Sequence, residues 1–368
     1  MLQKYKKSYK QTCVIQGNLY ICSNNGQNKT MDKDKMMVSI IIPIYNVQQY
    51  IEACVASVAA QTFQDFEILA VDDCTKDFSI EVLKASVEKY HIPEEKVHII
   101  RHDKNRGLSA ARNTGIKAST AQYVYFLDSD DTITPDCLEK LVGVARRAHH
   151  NVDMVVGNYL FDGPELGCPH IAVKKRILGR RDYIKSYCKE LIYPMAWNRL
   201  VKRDFIQKHG LFFEEGLIHE DTLWNFQILQ YVGRVGVVSD NTYIYRVRQN
   251  SIQSSSDFER HFKANSYIVG KLSEIMFGSS LRFNKYVYNF VEQEKLRHLY
   301  DCYRSGNMHL VRDLYTVCRT SKHYSPYVAT LLFGYDVALL KNIWMRDKHY
   351  SLPFEEGLKN FANLPQTL

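Results

Sequence analysis

The chain has 368 residues, of which 45% are hydrophobic and 24% charged, and it carries a net charge of +8. This length is enough for about two domains with a sizeable core, and the composition excludes a disordered or fibrous protein. Nine cysteines without a CxxC motif or a Cys/His group of zinc spacing exclude a zinc site of that kind and, because their number is odd, a full disulfide framework.

The charge balance and the first residues bear on location. A surplus of positive charge favours an anionic substrate or an anionic membrane surface, although a solvated, lysine-rich surface explains it equally well. Residues 1–35 contain seven lysines and no apolar run long enough for a secretory signal, so we expect a mobile polar leader, with Met36 or Met37 as an alternative start. No stretch reaches the ~18 apolar residues of a transmembrane helix. We therefore expect a cytoplasmic protein with reduced thiols.

Strands and helices alternate from residue 38 to residue 160. Short apolar or β-branched runs predict strands, and apolar residues at helical spacing predict helices between them. The predicted strands are 38–46, 66–73, 97–102, 122–128 and 152–159, and the predicted helices are 48–63, 76–91, 108–119 and 134–150. Near-continuous apolar strands that alternate with helices predict an α/β fold with a mainly parallel sheet, covered by helices on both faces.

After residue 160 the alternation fades and helical patterns dominate. These patterns cover residues 180–193, 219–232, 257–277, 282–305, 307–322 and 326–347. We therefore divide the chain into the leader 1–35, an α/β domain 36–250 and an all-helical module 251–368. In parallel sheets ligands bind beyond the carboxyl ends of the strands, so the residues that follow the predicted strands are the candidates for function.

Three aspartates follow the fourth predicted strand: Asp128, Asp130 and Asp131. Side chains at positions i and i+2 of an extended chain point to the same side, so Asp128 and Asp130 can present two carboxylates to one point. Mg²⁺ and Mn²⁺ typically take one or two carboxylates and complete their shell with phosphate oxygens and water. The same D-x-D pattern also fits a solvated turn with a helix cap. We expect Asp131 to serve the turn into the next helix.

Asp72 and Asp73 end the second predicted strand. A carboxylate at this position can accept a hydrogen bond from a nucleobase N–H or a ribose hydroxyl. The pair can equally well begin the turn DDCTKD. From these residues alone both interpretations stay open.

Arg106, Gly107 and Arg112 lie at the start of the helix predicted over 108–119. Helix N-termini and arginines both favour phosphate, although a basic helix surface explains them as well. The segment is neither GxGxxG nor GxxxxGK[ST], which disfavours dinucleotide cofactors and P-loop chemistry.

Glu220 and Asp221 open the helix predicted over 219–232. Carboxylates in a first turn often interact only with the helix dipole, but one aimed into a cleft can act as a general base. Tyr243, Tyr245, Arg246 and Arg248 form an aromatic–basic segment that fits a phosphate-facing strand or a solvated edge strand. One such stretch is too little to indicate nucleic-acid binding, so we predict no nucleic-acid partner.

Six segments, taken together and in this order, resemble the family 2 glycosyltransferases. They are VSIIIPIYN (38–46), SVAAQTFQDFEILAVDDCTKD (57–77), NRGLSAARNTGI (105–116), YVYFLDSDDTITPD (123–136), WNRLVKRDF (197–205) and HEDTLWNF (219–226). The resemblance covers about residues 36–250 and implies the GT-A fold, a Rossmann-like sheet flanked by helices, and sugar transfer with inversion. One departure is mild: Cys74-Thr75 stands where family members often carry Ser or Gly-Ser.

The resemblance also implies a nucleotide site. Pro43, Tyr45 and Asn46 match the first-strand motif that cradles the nucleoside. Asp73 matches the residue that reads the uracil edge, and the adjacent Asp72 shares that region.

It implies the reacting groups as well. Arg112 matches the motif arginine near the diphosphate. Asp130 matches the metal ligand of the D-x-D motif, and Asp128 lies near the ribose and the metal. Asp221 matches the catalytic base, with Glu220 in support.

We therefore expect an inverting glycosyltransferase that moves a sugar from a nucleotide-sugar donor, a UDP-sugar, to a hydroxyl of a glycan or lipid-linked sugar acceptor. Mn²⁺ or Mg²⁺ would be the cofactor, and the reaction would be one step in assembling a bacterial surface polysaccharide. The alternatives are a non-catalytic glycan- or protein-binding module on the same fold and a sugar-nucleotide pyrophosphorylase, against which PIYNVQQY (43–50) argues because it lacks a glycine-rich loop. The helical module would attach peripherally to the inner face of the membrane, or would form a packed bundle or dimer contact.

Overall fold

The structure is a computed structural model of the chain, and it describes residues 14–15, 18–19, 38–149, 151–164, 170–248 and 258–304. Contacts divide the chain into two units, residues 1–35 and residues 36–368. In the first unit, β1 (Val14–Ile15) pairs antiparallel with β2 (Asn18–Leu19). The rest of the expected leader lies outside the described residues.

The second unit alternates strands and helices through its first half and is mostly helical at its described end. Its described strands are β3 (Val38–Ile44), β4 (Phe66–Asp72), β5 (Val97–Arg101), β6 (Tyr123–Phe126), β7 (Thr132–Ile133), β8 (Met154–Asp162), β9 (Ile177–Gly179), β10 (Arg199–Lys202) and β11 (Arg234–Arg246). Its described α-helices are α1 (Ile51–Ala59), α2 (Ser79–Lys89), α3 (Leu108–Ala118), α4 (Cys137–Arg147), α5 (Arg180–Cys188), α6 (Arg203–His209), α7 (Glu220–Ile228), α8 (Phe258–Gly278) and α9 (Lys285–Arg304).

These strands form one sheet in the order β5–β4–β3–β6–β10–β8–β11–β7, with β9 paired to β11. The four strands β5, β4, β3 and β6 run parallel to one another. Every residue of the central strand β3 is buried, as expected for a parallel strand covered on both faces. The α/β fold predicted from the alternation of strands and helices is confirmed.

The other half of the sheet is mixed, which the sequence pattern did not predict. β10 runs antiparallel to both β6 and β8, and β11 runs parallel to β8. β10 is short, and the first of its residues, Arg199, is buried with its guanidinium donating to the carbonyls of Tyr193 and Met195. A buried arginine paired with nearby carbonyls breaks the apolar pattern by which a strand is recognised.

Helices cover both faces of the sheet. Because side chains alternate along a strand, Ile40 and Ile42 of β3 lie in one apolar core with α1, α2 and α4, whereas Ile41 lies in the other. The second core also takes in Trp224 of α7 and Leu272 of α8. The described helices of the C-terminal part therefore share a core with the helices of the α/β part.

The predicted helices 307–322 and 326–347 lie outside the described residues, and the predicted domain boundary near residue 250 stays a prediction. Helix α9 falls within the stretch predicted to be helical, and α8 does so except for its last residue, Gly278. Of the helices in the described ranges, none has both the length and the apolar composition needed to cross a membrane.

Candidate active site at the carboxyl edge of the parallel strands

Polar residues follow three neighbouring parallel strands. β4, β3 and β6 are adjacent and parallel, so the segments after Ile44, Asp72 and Phe126 emerge at one edge of the sheet. Tyr45 is exposed there. Pro43, in contrast, is buried inside β3 opposite Val71.

The turn after β3 is bound to the turn after β4. Asn46 has a left-handed backbone with φ of 54°, which asparagine tolerates better than most residues. Its N–H donates to Thr75 Oγ1 at 2.7 Å, and its side-chain oxygen accepts from the N–H of Lys76 at 3.2 Å. The predicted nucleoside-binding turn is thus held by the turn that Asp72 and Asp73 begin.

Asp72 and Asp73 are both buried and both organise backbone. Asp72 Oδ1 accepts from the N–H of Thr75 at 2.8 Å. Asp73 accepts from the N–H groups of Arg106 at 2.8 Å and Gly107 at 2.7 Å, and His102 Nδ1 lies 2.7 Å from the same carboxylate. These contacts fix the loop that leads into α3. A role for either aspartate in reading a nucleobase stays a prediction.

Arg112 of α3 brings the D-x-D segment and the start of α7 together. Its Nη2 donates to Asp128 Oδ1 at 2.7 Å, and its Nη1 donates to Glu220 Oε1 at 2.5 Å. Arg112 is only 2% exposed. Burial lowers the pKa of this guanidinium, but the neighbouring Asp128 and Glu220 carboxylates outweigh it and raise the pKa above its ordinary value. The side chain is therefore a permanent buried cation.

Asp130 and Asp131 are both attached to the end of β11 and the residues after it. The carboxylate of Asp130 lies 2.7 Å from Arg248 Nε. Asp131 is buried and accepts from the hydroxyl of Tyr243 at 2.6 Å and from the N–H of Arg246 at 2.8 Å. We expected Asp131 to serve the turn into α4, and this expectation is wrong. Both oxygens of its side chain instead accept hydrogen bonds from β11, which passes beside it.

The negative charges of the three neighbouring aspartates repel one another. Burial, followed by the negative charge of Asp128, raises the pKa of Asp130, and burial, followed by Asp130, raises the pKa of Asp131. A bound cation would relieve this repulsion. Asp128 and Asp130 fit such a cation because their side chains are still 22% and 18% exposed.

Protein ligands alone do not complete a metal site here. Within the described ranges, no three His, Cys, Asp or Glu side chains are arranged to hold a metal ion. Mg²⁺ and its analogues usually take only one or two carboxylates and the rest from phosphates and water. The pair Asp128 and Asp130 is therefore compatible with a metal that arrives with a phosphorylated ligand.

Asp221 lies in the first turn of α7, where Glu220 precedes it. Its Oδ1 accepts from the N–H of Thr222 at 2.8 Å. Burial and the adjacent Glu220 raise the pKa of Asp221 to about 7, although Arg112 acts in the opposite direction. A carboxyl group that titrates near neutral pH is suited to general base catalysis.

An aromatic wall lies beside the acidic segment, and the sequence pattern did not predict it. Trp197 stacks on Tyr243 and on Tyr245, with ring centroids 4.4 Å and 5.6 Å away. The guanidinium groups of Arg246 and Arg248 both lie over the ring of Tyr50, at 5.6 Å and 5.5 Å. The alternation of Tyr243, Tyr245 and the arginines was visible in the sequence, but its partners are distant in the chain.

Comparisons with known proteins identify similar sequences. Residues 39–210 match the family model described as glycosyl transferase family 2. The putative glycosyltransferase EpsH of Bacillus subtilis is 32% identical over 221 residues, which cover 58% of this chain and 62% of EpsH. The succinoglycan biosynthesis protein ExoO of Rhizobium meliloti is 30% identical over 58% of this chain and 62% of ExoO. This chain thus matches less than two thirds of the length of either relative.

A solved structure with a similar fold is S. aureus TarS 1-349 in complex with UDP-GlcNAc. It has a TM-score of 0.56 and 21% sequence identity, and the match covers 79% of this chain and 93% of that chain. At this identity the likeness shows a shared fold. The fold that the resemblance implied is confirmed.

Proposed function

Because residues 39–210 match the model of glycosyl transferase family 2, we propose that this chain is a member of that family. It transfers a sugar from a UDP-sugar to a hydroxyl group of a glycan or lipid-linked sugar, with inversion at the anomeric carbon. The observation that carries this proposal is the joining, through Arg112, of the strand-end acid Asp128 and the first turn of α7, which holds Asp221. This arrangement supports a donor site and a base that lie close together at the carboxyl edge of the parallel strands. The complex of TarS with UDP-GlcNAc supports a UDP-sugar as donor.

In the proposed reaction, Asp221 accepts the proton of the acceptor hydroxyl while that oxygen attacks the anomeric carbon from the side opposite the nucleotide. The bond from this carbon to the diphosphate breaks in the same displacement, so the configuration inverts. Asp130 and Asp128 would hold Mn²⁺ or Mg²⁺, which when bound supplies a Lewis acid for the charge that develops on the leaving diphosphate. Asp72 and Asp73, with Pro43, Tyr45 and Asn46, are proposed to form the nucleoside side of the site.

We place the reaction in the assembly of a bacterial surface polysaccharide. The similarity to ExoO, a succinoglycan biosynthesis protein, supports this placement. The geometry does not favour a non-catalytic binding module, because Asp130, the candidate metal ligand, and Asp221, the candidate base, are both present. A pyrophosphorylase is disfavoured because residues 43–50 lack a glycine-rich loop.

A donor screen tests the proposal. Release of UDP is measured with UDP-Glc, UDP-Gal, UDP-GlcNAc and UDP-GalNAc in the presence of Mn²⁺. We expect release from one of them, and we expect Asp221→Asn to lower kcat by about 10²- to 10⁴-fold because the base is lost. The matched control, Asp240→Asn, removes an exposed carboxylate that pairs with Lys140 and should leave kcat unchanged. Equal losses in both variants would contradict the role of Asp221.

The turn between α8 and α9 supports peripheral attachment to the inner face of the membrane. Phe283 is 79% exposed, and the guanidinium of Arg282 lies 4.6 Å from its ring centroid. Lys285, the first residue of α9, is exposed next to this turn. An apolar ring flanked by cations is the combination that binds anionic lipid surfaces.

Sedimentation with vesicles checks this attachment. We expect binding to vesicles that contain phosphatidylglycerol, weaker binding in high salt, and weaker binding of Phe283→Ser. The control Phe78→Ser removes another exposed ring and should bind normally. Equal binding to vesicles of phosphatidylcholine alone would contradict an anionic lipid partner.

A further inference from the structure

Arg112 is the point at which three parts of the fold meet. It belongs to α3, Asp128 follows β6, and Glu220 begins α7. Both carboxylates are negative, so neither can neutralise the other, and both lie largely out of water. The forked guanidinium bonds one carboxylate with each Nη group, which is the geometry that arginine offers and lysine does not.

Asn113, the residue beside Arg112, holds the segment that leads into α7. Asn113 Nδ2 donates to the carbonyl of Phe213 at 2.8 Å, and Asn113 Oδ1 accepts from the N–H of Phe213 at 2.8 Å. The ring of Phe213 stacks on Trp224 of α7 at 4.6 Å and lies under the guanidinium of Arg112 at 5.3 Å. Two consecutive residues of α3 therefore fix both the approach to α7 and its first turn.

This environment is not that of a phosphate ligand. Only 2% of Arg112 is exposed, so the side chain would have to leave both carboxylates in order to meet a diphosphate. Removing the cation would leave the buried carboxylate of Glu220 and the partly buried carboxylate of Asp128 unpaired, and an unpaired buried charge is costly. The contacts thus favour a role different from the diphosphate contact that the resemblance implied.

We infer that Arg112 is a positioning residue, a buried cation that holds the D-x-D segment and the first turn of α7 at a fixed separation, and so sets the donor side of the site against the base. This inference rests on the proposed function. In this inference α3 aligns the D-x-D segment with the first turn of α7, and groups other than Arg112 contact the diphosphate.

The charges that face Asp221 allow the alignment to be measured. On its own helix these are Glu220 and the N–H of Thr222, and from the neighbouring elements they are Arg112 and Asp128. Helix α8 also packs on α7, where His261 Nδ1 lies 2.9 Å from His219 Nε2. Among these groups Arg112 is the cation that favours the ionised base.

Kinetics of UDP release separate the positioning role from a phosphate contact. For Arg112→Lys we expect kcat to fall about 10- to 100-fold, with KM for the donor within about threefold, because a misplaced base affects the transition state more than donor binding. For Arg112→Met we also expect the acid limb of the kcat profile to move up by about one pH unit. A tenfold rise in KM with unchanged kcat, or an unmoved acid limb in Arg112→Met, would overturn the inference.

A double-mutant cycle of unfolding measurements tests the bridge that Arg112 forms between Asp128 and Glu220, and it does not require a measurement of turnover. Arg112→Met, Glu220→Gln and the double variant are unfolded in urea, with Lys117→Met, an exposed cation on the same helix, as control. We expect Arg112→Met to lower the urea midpoint less when Glu220 is already Gln, because only Asp128 is then left without its cation, and Asp128 is the more exposed of the two carboxylates. Additive losses would overturn the bridge. If no donor is turned over, the proposed function fails, while this cycle still decides the contact.

Discussion

At the scale of single residues, neighbours in the chain have different partners. Asp130 is still partly exposed and pairs with Arg248, whereas Asp131 is buried and bonded to Tyr243 and to the backbone of β11. Only the first of these two carboxylates can turn to a ligand without breaking the fold. The D-x-D spacing identified the segment, but only the position of β11 separates the two roles.

Asp130→Asn should abolish the dependence of UDP release on Mn²⁺. The amide keeps the shape but loses the charge that would attract the cation, so we expect turnover to fall by at least about 100-fold. Isothermal titration of UDP with and without Mn²⁺ checks the cause, because in the variant Mn²⁺ should no longer strengthen UDP binding. The same titration on Asp240→Asn serves as control, and an unchanged effect of Mn²⁺ in Asp130→Asn would remove this residue from the site.

Asp221 should make the protein less stable as pH rises. Because the pKa in the fold is about 7 and the ordinary value is 3.8, the native state holds the proton between these values and the unfolded state does not. Stability is therefore lost as pH rises from about 4 to about 7.

Thermal unfolding of Asp221→Asn checks this sign. The variant cannot ionise, so its Tm should match the parent protein only below about pH 4 and should exceed it by an amount that grows up to pH 8, by about 2–4 °C for each kcal/mol recovered. The other acids are the same in both proteins and cancel in the comparison. A lower Tm of the variant at pH 8 would show that the charged form stabilises the fold.

At the scale of elements, the sequence predicts some strands better than others. β3, β4, β5 and β6 are apolar runs that end in polar residues, and the structure has strands at all four predicted places. β10 could not be predicted because it depends on Arg199 finding carbonyls in the preceding loop. The pairing of the D-x-D segment with β11 could not be predicted either. It too depends on contacts between residues that are not adjacent in the chain.

Gly157 of β8 allows β8, β11 and the segment before β10 to approach closely. A Cβ added there would lie 2.2 Å from Thr242 Oγ1 and 2.8 Å from Asn198 Nδ2. We expect Gly157→Ala to lower the free energy of unfolding by about 1–3 kcal/mol through overpacking.

Urea unfolding against a second glycine measures this effect. Gly270 lies within α8 with nothing within 4 Å of an added Cβ, so Gly270→Ala should raise the free energy of unfolding by about 0.5–1 kcal/mol. A loss of similar size in both variants would mean that the close approach at Gly157 is not what limits the side chain.

At the scale of the whole molecule, α8 and α9 are packed on the α/β part. Leu272 and Met276 are fully buried in the core that contains Trp224 and Ile228 of α7. Elements that share a core unfold together. A helical module that carried its own core would instead unfold separately.

Leu272→Ala should therefore lower the stability of the whole second unit. We expect a loss of about 2–5 kcal/mol, as for other large-to-small changes in a core, and a single transition by both tryptophan fluorescence and circular dichroism. The control Phe283→Ala changes an exposed ring and should be nearly neutral. Two transitions, of which only the earlier one moves in Leu272→Ala, would show that the helices unfold on their own.

The bonds from Asp131 to Tyr243 and Arg246 join residues 112 and 115 positions apart. During synthesis a ribosome adds about 5–20 residues per second, so this interval takes on the order of ten seconds. Through that time the nascent chain carries its three aspartates without the strand that holds Asp131. The D-x-D segment is consequently among the last parts of the sheet to become ordered. A chain whose translation stops before residue 243 would have the parallel strands β5, β4, β3 and β6 but no ordered D-x-D segment.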